Sequence, residues 1–319
     1  MEQNSEQKKC YLAVDGGNSK TEYRLLDASG KVIASLRGCG SNHETMPGGF
    51  DDAADLLIEQ CGQMLGANGY ALTDVQDAVL GLAGADYEEQ SAALTACLQE
   101  RGLDKCFVCN DGYLGVMAGI KDGVGICYSA GSGVICAGMN QEGKRVQFGG
   151  LGVLSGDTGG GFDIIAFVYR SVYQQVFFGK KRTALKDGYY TYFDIHSPAE
   201  FLASAVRLRN EESARQLIGI FFTAVETADD LASRYAARAA SHAADCIVAA
   251  SNALSLEYPV HVALSGSIMT AVASQTYRRM LEYELRRRKG DIFQLQTIDC
   301  PPVDGAVRWV RLRNGRKDE

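Results

Sequence analysis

No stretch of the chain reaches 18 consecutive apolar residues, so it contains no candidate transmembrane helix. The opening residues, Met-Glu-Gln-Asn-Ser-Glu-Gln-Lys-Lys, lack the apolar core of a signal peptide, and the expectation is a cytoplasmic protein without membrane contact. An excess of positive charge is missing too. The 32 Lys and Arg against 39 Asp and Glu leave a net charge of -7. That argues against a nucleic-acid coat, which needs a basic face, but leaves room for small anions held by local loops. No Gly/Ser/Pro linker, low-complexity tract or short-period repeat divides the 319 residues, so two domains would have to meet at a compact hinge. The 10 cysteines sit mostly in apolar runs, as suits reduced, buried thiols. Cys106-Phe107-Val108-Cys109 has CxxC spacing, but the second pair that a zinc ribbon requires is absent.

Glycine, by contrast, is abundant: 36 residues, where average usage of about 7% would give roughly 22. The glycines cluster at 16–17, 81–84, 131–133, 149–152 and 156–161, each time beside apolar runs. Around them the pattern predicts strands at 10–15, 21–27 and 31–36, with a hairpin turn at Asp27-Ala28-Ser29-Gly30. A helix over 49–66 follows from the spacing of Phe50, Ala53, Ala54, Leu57, Ile58 and Cys61. Strand 77–85, helix 87–101 and strand 106–111 then imply parallel βα units added to a meander. Residues 123–139 repeat the theme of strand, Gly/Ser turn and strand, and a glycine stretch at 148–164 leads into a helix of 160–178. Helices are expected at 197–208 and, unbroken, at 211–256. Strand 259–266, helix 270–289, strand 291–298 and a short helix from Asp304 complete an α/β chain of two similar halves.

The segment "AVDGGNSKTEYRLLD", residues 13–27, places a polar glycine turn between two strands. It is no Walker P-loop, which needs a following helix and a different glycine spacing, and a dinucleotide-binding turn fails for the same reason. What strand, turn and strand can offer is a row of backbone N–H groups and hydroxyls, a nest for terminal phosphates. A plain hairpin turn is the alternative for this motif taken by itself.

It is accompanied, in order, by Ser41-Asn42-His43, Gly81-Leu82-Ala83-Gly84, Asn110-Asp111-Gly112, Ser129-Ala130-Gly131-Ser132-Gly133, Gly149-Gly150-Leu151-Gly152, Gly156-Asp157 and Leu264-Ser265-Gly266-Ser267. The ordered series, spanning nearly the whole chain, resembles the N-acetylglucosamine kinases within the BadF/BadG/BcrA/BcrD ATPase family of the actin/sugar-kinase/Hsp70 superfamily. The resemblance implies two ribonuclease-H-like domains, about 1–117 and 118–303, with a ligand cleft between them. The helix at 304–319 would pack back on the first domain.

By the same resemblance the cofactors are ATP and Mg²⁺. Gly16, Gly17, Asn18, Ser19, Lys20 and Thr21 would form one phosphate loop and Ala130 and Gly131 the other. Lys20 or Thr21 would border the phosphates, unless Lys20 only makes a surface ion pair. Asp15 would reach the magnesium directly or through water. Asp111, at the carboxyl end of strand 106–110, is similar to the aspartate that accepts the proton of the sugar hydroxyl; capping the next turn is its alternative role. Asn42, His43, Ser132, Gly150, Gly152 and Asp157 would contact the sugar, and Gly266 and Ser267 the adenosine side.

The chain departs from the family pattern at Ala130 in the second phosphate loop, at Leu151 in place of tryptophan, and at Thr158-Gly159-Gly160. The implied activity is transfer of a phosphoryl group from ATP to an amino sugar, foremost the 6-hydroxyl of N-acetylglucosamine, with N-acetylmuramic acid and glucosamine as alternative acceptors. A sugar or nucleotide sensor without catalysis and an activator ATPase of the acyl-CoA dehydratase type are the other readings. A homodimer is expected.

Overall fold

A computed structural model describes residues 8–271 and 274–316. By backbone contacts the chain separates into two compact units. One holds the described residues up to Val124, residues 141–143 and those from Ile298; the other holds 125–140 and 144–297.

The first unit is built on strands β1 (Cys10–Gly16), β2 (Lys20–Leu26), β3 (Val32–Cys39), β4 (Val75–Leu82) and β5 (Cys106–Cys109), in sheet order β3-β2-β1-β4-β5. Strands β1, β2 and β3 form the antiparallel meander, and β4 and β5 extend it in parallel with β1. Residues 10–14 of β1 are wholly buried because its strand is central and covered on both faces, which accounts for its continuous apolar run. The outer strand β3 alternates instead between exposed and half-buried positions. The Asp27 turn closes as expected: its carboxylate accepts from the Ser29 and Lys31 amides at 2.8 and 3.1 Å, and Gly30 takes φ +88°.

Helices α1 (Phe50–Ala67), α2 (Glu88–Glu100) and α3 (Gly112–Gly119) belong to this unit. Residues Ala53, Ala54, Leu57, Cys61 and Leu94 pack into one core with β1 and β4.

The second unit repeats the plan. Strands β6 (Gly125–Ala130), β7 (Val134–Met139), β8 (Arg145–Gly149), β9 (Val260–Ser265) and β10 (Phe293–Thr297) are ordered β10-β9-β6-β7-β8. Again an antiparallel meander is extended by two parallel strands. Its helices are α4 (Gly161–Phe178), α5 (Ala184–Phe193), α6 (Pro198–Ala203), α7 (Glu211–Glu226), α8 (Asp230–Leu254), α9 (Ser267–Thr270) and α10 (Gln275–Lys289). Helix α11 (Val303–Arg313) returns to the first unit. Its Ala306, Val307 and Val310 pack on Tyr11, Ala13, Val79 and Leu114.

Five local features differ from the sequence pattern. The expected helix 211–256 is two helices, because Ala228 adopts φ +56° and Asp229 caps α8, accepting from the amides of Leu231 and Ala232 at 3.1 and 3.0 Å. Expected helix 197–208 tightens to a 3₁₀ turn after Ala203. Strand β8 was hidden by the glycines that follow it, and α3, with three glycines in eight residues, carries a composition that favours turns. Helix α5, capped by Thr183, was not foreseen. No helix among the described residues is long and apolar enough to cross a membrane.

Candidate active site

In the first unit, the parallel register aligns Asp15 with Gly81 and Gly81 with Cys109, so β1, β4 and β5 end along one edge. Asp111 stands two residues beyond Cys109, at the N-terminus of α3. The strand between the two acids carries only a glycine there, and a Cβ on Gly81 would fall 2.4 Å from the Leu114 side chain. Burial first, and then the Asp111 charge, raise the Asp15 carboxyl to about 7. Burial and Asp86 raise Asp111 to about 6, against the lowering effect of the Gly112 amide. The Asp111 side chain makes no capping hydrogen bond. That task falls to Asn110, whose Oδ1 accepts from Gly112 N at 2.7 Å while its Nδ2 donates to Asp86 at 2.8 Å.

The turn between β1 and β2 is tied into two neighbouring loops. Gly17 N donates to Lys20 O at 2.9 Å, Ser41 N donates to Gly17 O at 3.0 Å, and Ala83 N donates to Gly16 O at 2.7 Å. Asn18 and Ser19 are exposed. Lys20 pairs with Glu22 at 2.6 Å, and Thr21 is fully buried, its hydroxyl donating to Ser41 at 2.9 Å. Asn42 donates to Asn18 at 2.6 Å and accepts from Glu44 N at 2.9 Å. His43 stacks on Phe50 with centroids 4.2 Å apart, and its buried Nδ1 has no hydrogen-bond partner among the described residues. Gly84, at φ +82°, lets both side chains approach: a Cβ there would lie 2.4 Å from Asn42 Oδ1.

The second unit carries a cavity of about 780 Å³ at its glycine turns. Of the sugar-contact candidates named from the sequence, Ser132, Gly152 and Asp157 line it, as do Gly133, Gly156, Thr158 and Gly160 of the glycine motifs. The β6–β7 turn is fixed because Gly131 O and Ser132 O accept from Gly161 N and Phe162 N, at 2.8 and 2.9 Å, at the start of α4. Asp157 is committed inward: its Oδ2 accepts from the amides of Gly150 and Gly152, both at 2.9 Å, and its Oδ1 from the Ser155 hydroxyl at 2.8 Å. The carboxylate thereby shapes the loop that carries Gly150, Gly152 and Ser155. Ala130 is fully buried, and Gly266 crosses directly over it, with φ +82° and a Cβ position only 2.4 Å from Ala130 O. Ser267 opens α9, where Gly266 O accepts from Met269 N and Thr270 N, each at 3.0 Å.

Several lining residues escaped the sequence reading. Asp163 accepts from the Thr158 hydroxyl at 2.8 Å and from the Tyr235 hydroxyl, and it pairs with Arg170 at 3.6 Å. Arg238 and His242 lie one turn apart on α8, facing the same cavity. The i, i+4 spacing of Arg238 and His242 and the i, i+7 spacing of Asp163 and Arg170 were the available signals. Asp86 gave none, being joined to Asn110 only by the fold.

These two glycine-turn constellations lie on the same kind of sheet, and the family model for BadF/BadG/BcrA/BcrD ATPases matches residues 12–308. The chain belongs to the BadF/BadG/BcrA/BcrD ATPase family. An N-acetylmuramic acid/N-acetylglucosamine kinase of Clostridium acetobutylicum is 31% identical over 157 residues, 49% of this chain and 51% of that protein. The chain thus matches about half the length of the curated relatives. Among solved structures, a Chromobacterium violaceum protein proposed to be an N-acetylglucosamine kinase superposes with TM-score 0.67 at 19% identity, covering 94% of this chain and 98% of that one. A Streptomyces griseus ROK-family glucokinase, solved with glucose and AMPPNP, gives TM-score 0.58 at 15% identity, covering 96% and 100%. The fold of this family member is therefore the actin-like ATPase fold, with its two ribonuclease-H-like sheets.

Proposed function

We propose that the protein is an ATP-dependent kinase that transfers the γ-phosphoryl group to a hydroxyl of an amino sugar, with the 6-hydroxyl of N-acetylglucosamine as the first acceptor to test. The observation that carries this reading is that Asp15 and Asp111 stand at one sheet edge, where the Asp111 charge adds to burial in raising the Asp15 carboxyl. Phosphoryl transfer needs positioning and charge neutralisation more than covalent chemistry, and a base beside a cation-seeking carboxylate suits it.

In this reading Asp111 takes the proton from the attacking hydroxyl as its oxygen bonds to the γ-phosphorus and the bond to the bridging oxygen of ADP breaks. A carboxyl raised to about 6 is ionised at neutral pH yet still basic enough to accept that proton. Asp15 would hold Mg²⁺, which neutralises the phosphate charge. Burial, and after it the crowding by Asp111 and Glu22, raises Asp15; a divalent cation would relieve that crowding, and one carboxylate completed by phosphate and water is a usual magnesium environment. Residues 16–21 and 130–131 would surround the phosphates, and Gly266 and Ser267 the adenosine. Asn42, His43, Ser132, Gly150 and Gly152 would contact the sugar, with Asp157 shaping that loop. A homodimer in the cytoplasm is part of the proposal.

ADP release coupled to a reporter, measured with Mg²⁺ and ATP across N-acetylglucosamine, N-acetylmuramic acid, glucosamine and glucose, tests it. Sugar-stimulated turnover that disappears with chelator is expected. Sugar binding with no turnover for any of them would make the protein a sensor instead.

A further inference from the structure

The cavity of the second unit is lined by two arginines, one of which meets none of the cavity's carboxylates. Both acids in its wall are internally engaged: Asp157 accepts from the Gly150 and Gly152 amides and the Ser155 hydroxyl, and Asp163 from the hydroxyls of Thr158 and Tyr235. Arg170 leans toward Asp163 at 3.6 Å, with 66% of its side chain exposed, and His242 lies 4.0 Å from Asp157. Arg238 has no carboxylate within ion-pair distance among the described residues, and its guanidinium lies over the Tyr235 ring, 5.4 Å from the centroid. Tyr235 in turn is held by the partly buried hydrogen bond to Asp163 and by stacking on Phe167 at 4.1 Å, so the platform beneath Arg238 is fixed. An arginine held on an aromatic face keeps its donor edge available for a carboxylate, and restraint of the side chain lowers the entropy lost when one binds.

Resting on the kinase reading above, we propose that Arg238, with Arg170 in the same cavity wall, is a specificity site for a carboxylate carried by the sugar, so that the preferred acceptor is an acidic amino sugar. The cavity, at about 780 Å³, has room for a sugar bearing an acid side chain. Val153 on the glycine loop, 95% exposed, and Phe162 at the start of α4, 70% exposed, supply apolar surface for a ring and no competing charge. Near Ser132 and Gly152 a neutral amino sugar would leave Arg238 unused; a hydroxy-acid ether on the ring would reach toward it.

The test compares N-acetylmuramic acid with N-acetylglucosamine, which differ by such an ether. The wild-type protein is expected to favour the acidic sugar in kcat/KM, and R238Q to lower that preference roughly tenfold to a hundredfold, as befits loss of one charge-assisted contact. R238K should keep part of it, and the preference should shrink with added salt. An acidic-to-neutral ratio unchanged in R238Q overturns the carboxylate site while leaving the kinase standing. If neither sugar is turned over, the kinase reading fails, and calorimetric binding of the same two sugars to wild type and R238Q still decides: equal affinities in both proteins refute the site.

Discussion

The side-chain amide of Asn42 donates to Asn18 Oδ1 at 2.6 Å, fastening the turn between β1 and β2 to the loop that presents His43. Two loops with separate proposed ligands, phosphate and sugar, thus share one hydrogen bond. The Oδ1 of the same Asn42 also caps the short helix at His43–Thr45 through Glu44 N.

Asn42→Ala should therefore act on both ligands at once. Loss of a cap and of a partly buried amide contact costs about 1–2 kcal/mol of stability. KM should rise for ATP as well as for the sugar. A rise for the sugar alone would show that Asn42 contacts it without organising the Asn18 turn.

Asp111→Asn removes the proposed proton acceptor and keeps the size. Turnover is expected to fall by roughly 10²-fold or more, with sugar affinity far less affected. The wild-type rate should decline on acidification as the carboxyl, raised to about 6, takes up a proton, and bound magnesium would move that limb lower still. Near-normal turnover of the variant would remove Asp111 from the chemistry.

The same raised carboxyl makes a stability prediction of opposite slope. Because folding raises Asp111 above its ordinary range, its contribution is fully present at pH below about 4 and is lost as pH rises through about 6. Without ligands, Asp111→Asn should melt higher than wild type at pH 8, and the gain should vanish towards pH 4. Thermal melts across that range read it directly; an unchanged difference at both ends would contradict the coupling.

Asp157→Asn can keep an oxygen opposite the Gly150 and Gly152 amides only by turning its amide nitrogen to Ser155 Oγ, which must then give up its donation to the carboxylate and accept instead, and the negative charge facing the two amides is lost. Sugar affinity is expected to fall through disorder of the loop, at a cost of about 1–3 kcal/mol. Hydrogen exchange should speed up at residues 150–157. Weaker sugar binding with unaltered exchange would instead assign Asp157 to direct contact with hydroxyls.

Gly266→Ala puts a Cβ 2.4 Å from Ala130 O on a residue at φ +82°. Both the clash and the backbone strain are costly, at about 1–3 kcal/mol for the strain. Nucleotide affinity should drop more than sugar affinity, since the displaced turn is the one proposed beside adenosine. Titration with each ligand separately checks the order.

The meander, the parallel additions and the duplicated plan were legible because they arise from local pattern: a central strand must be apolar on both faces, a turn must supply positive φ, and each signal lies within about ten residues. The glycine turns and Asp15, Asp111 and Asp157 could be named for the same reason, as members of an ordered series of motifs. Which groups those residues meet was not local. Asn110 rather than Asp111 caps α3, Asp157 turns inward to three donors of its own loop, and Thr21 is spent on Ser41. Arg238 reaches the cavity only because α7 and α8 break at Ala228 and Asp229 and send α8 past α4. Periodicity decides which face of an element is buried; the partner on the other side of a hydrogen bond or a charge is chosen by packing between segments far apart in the chain, and there the tertiary structure alone decided.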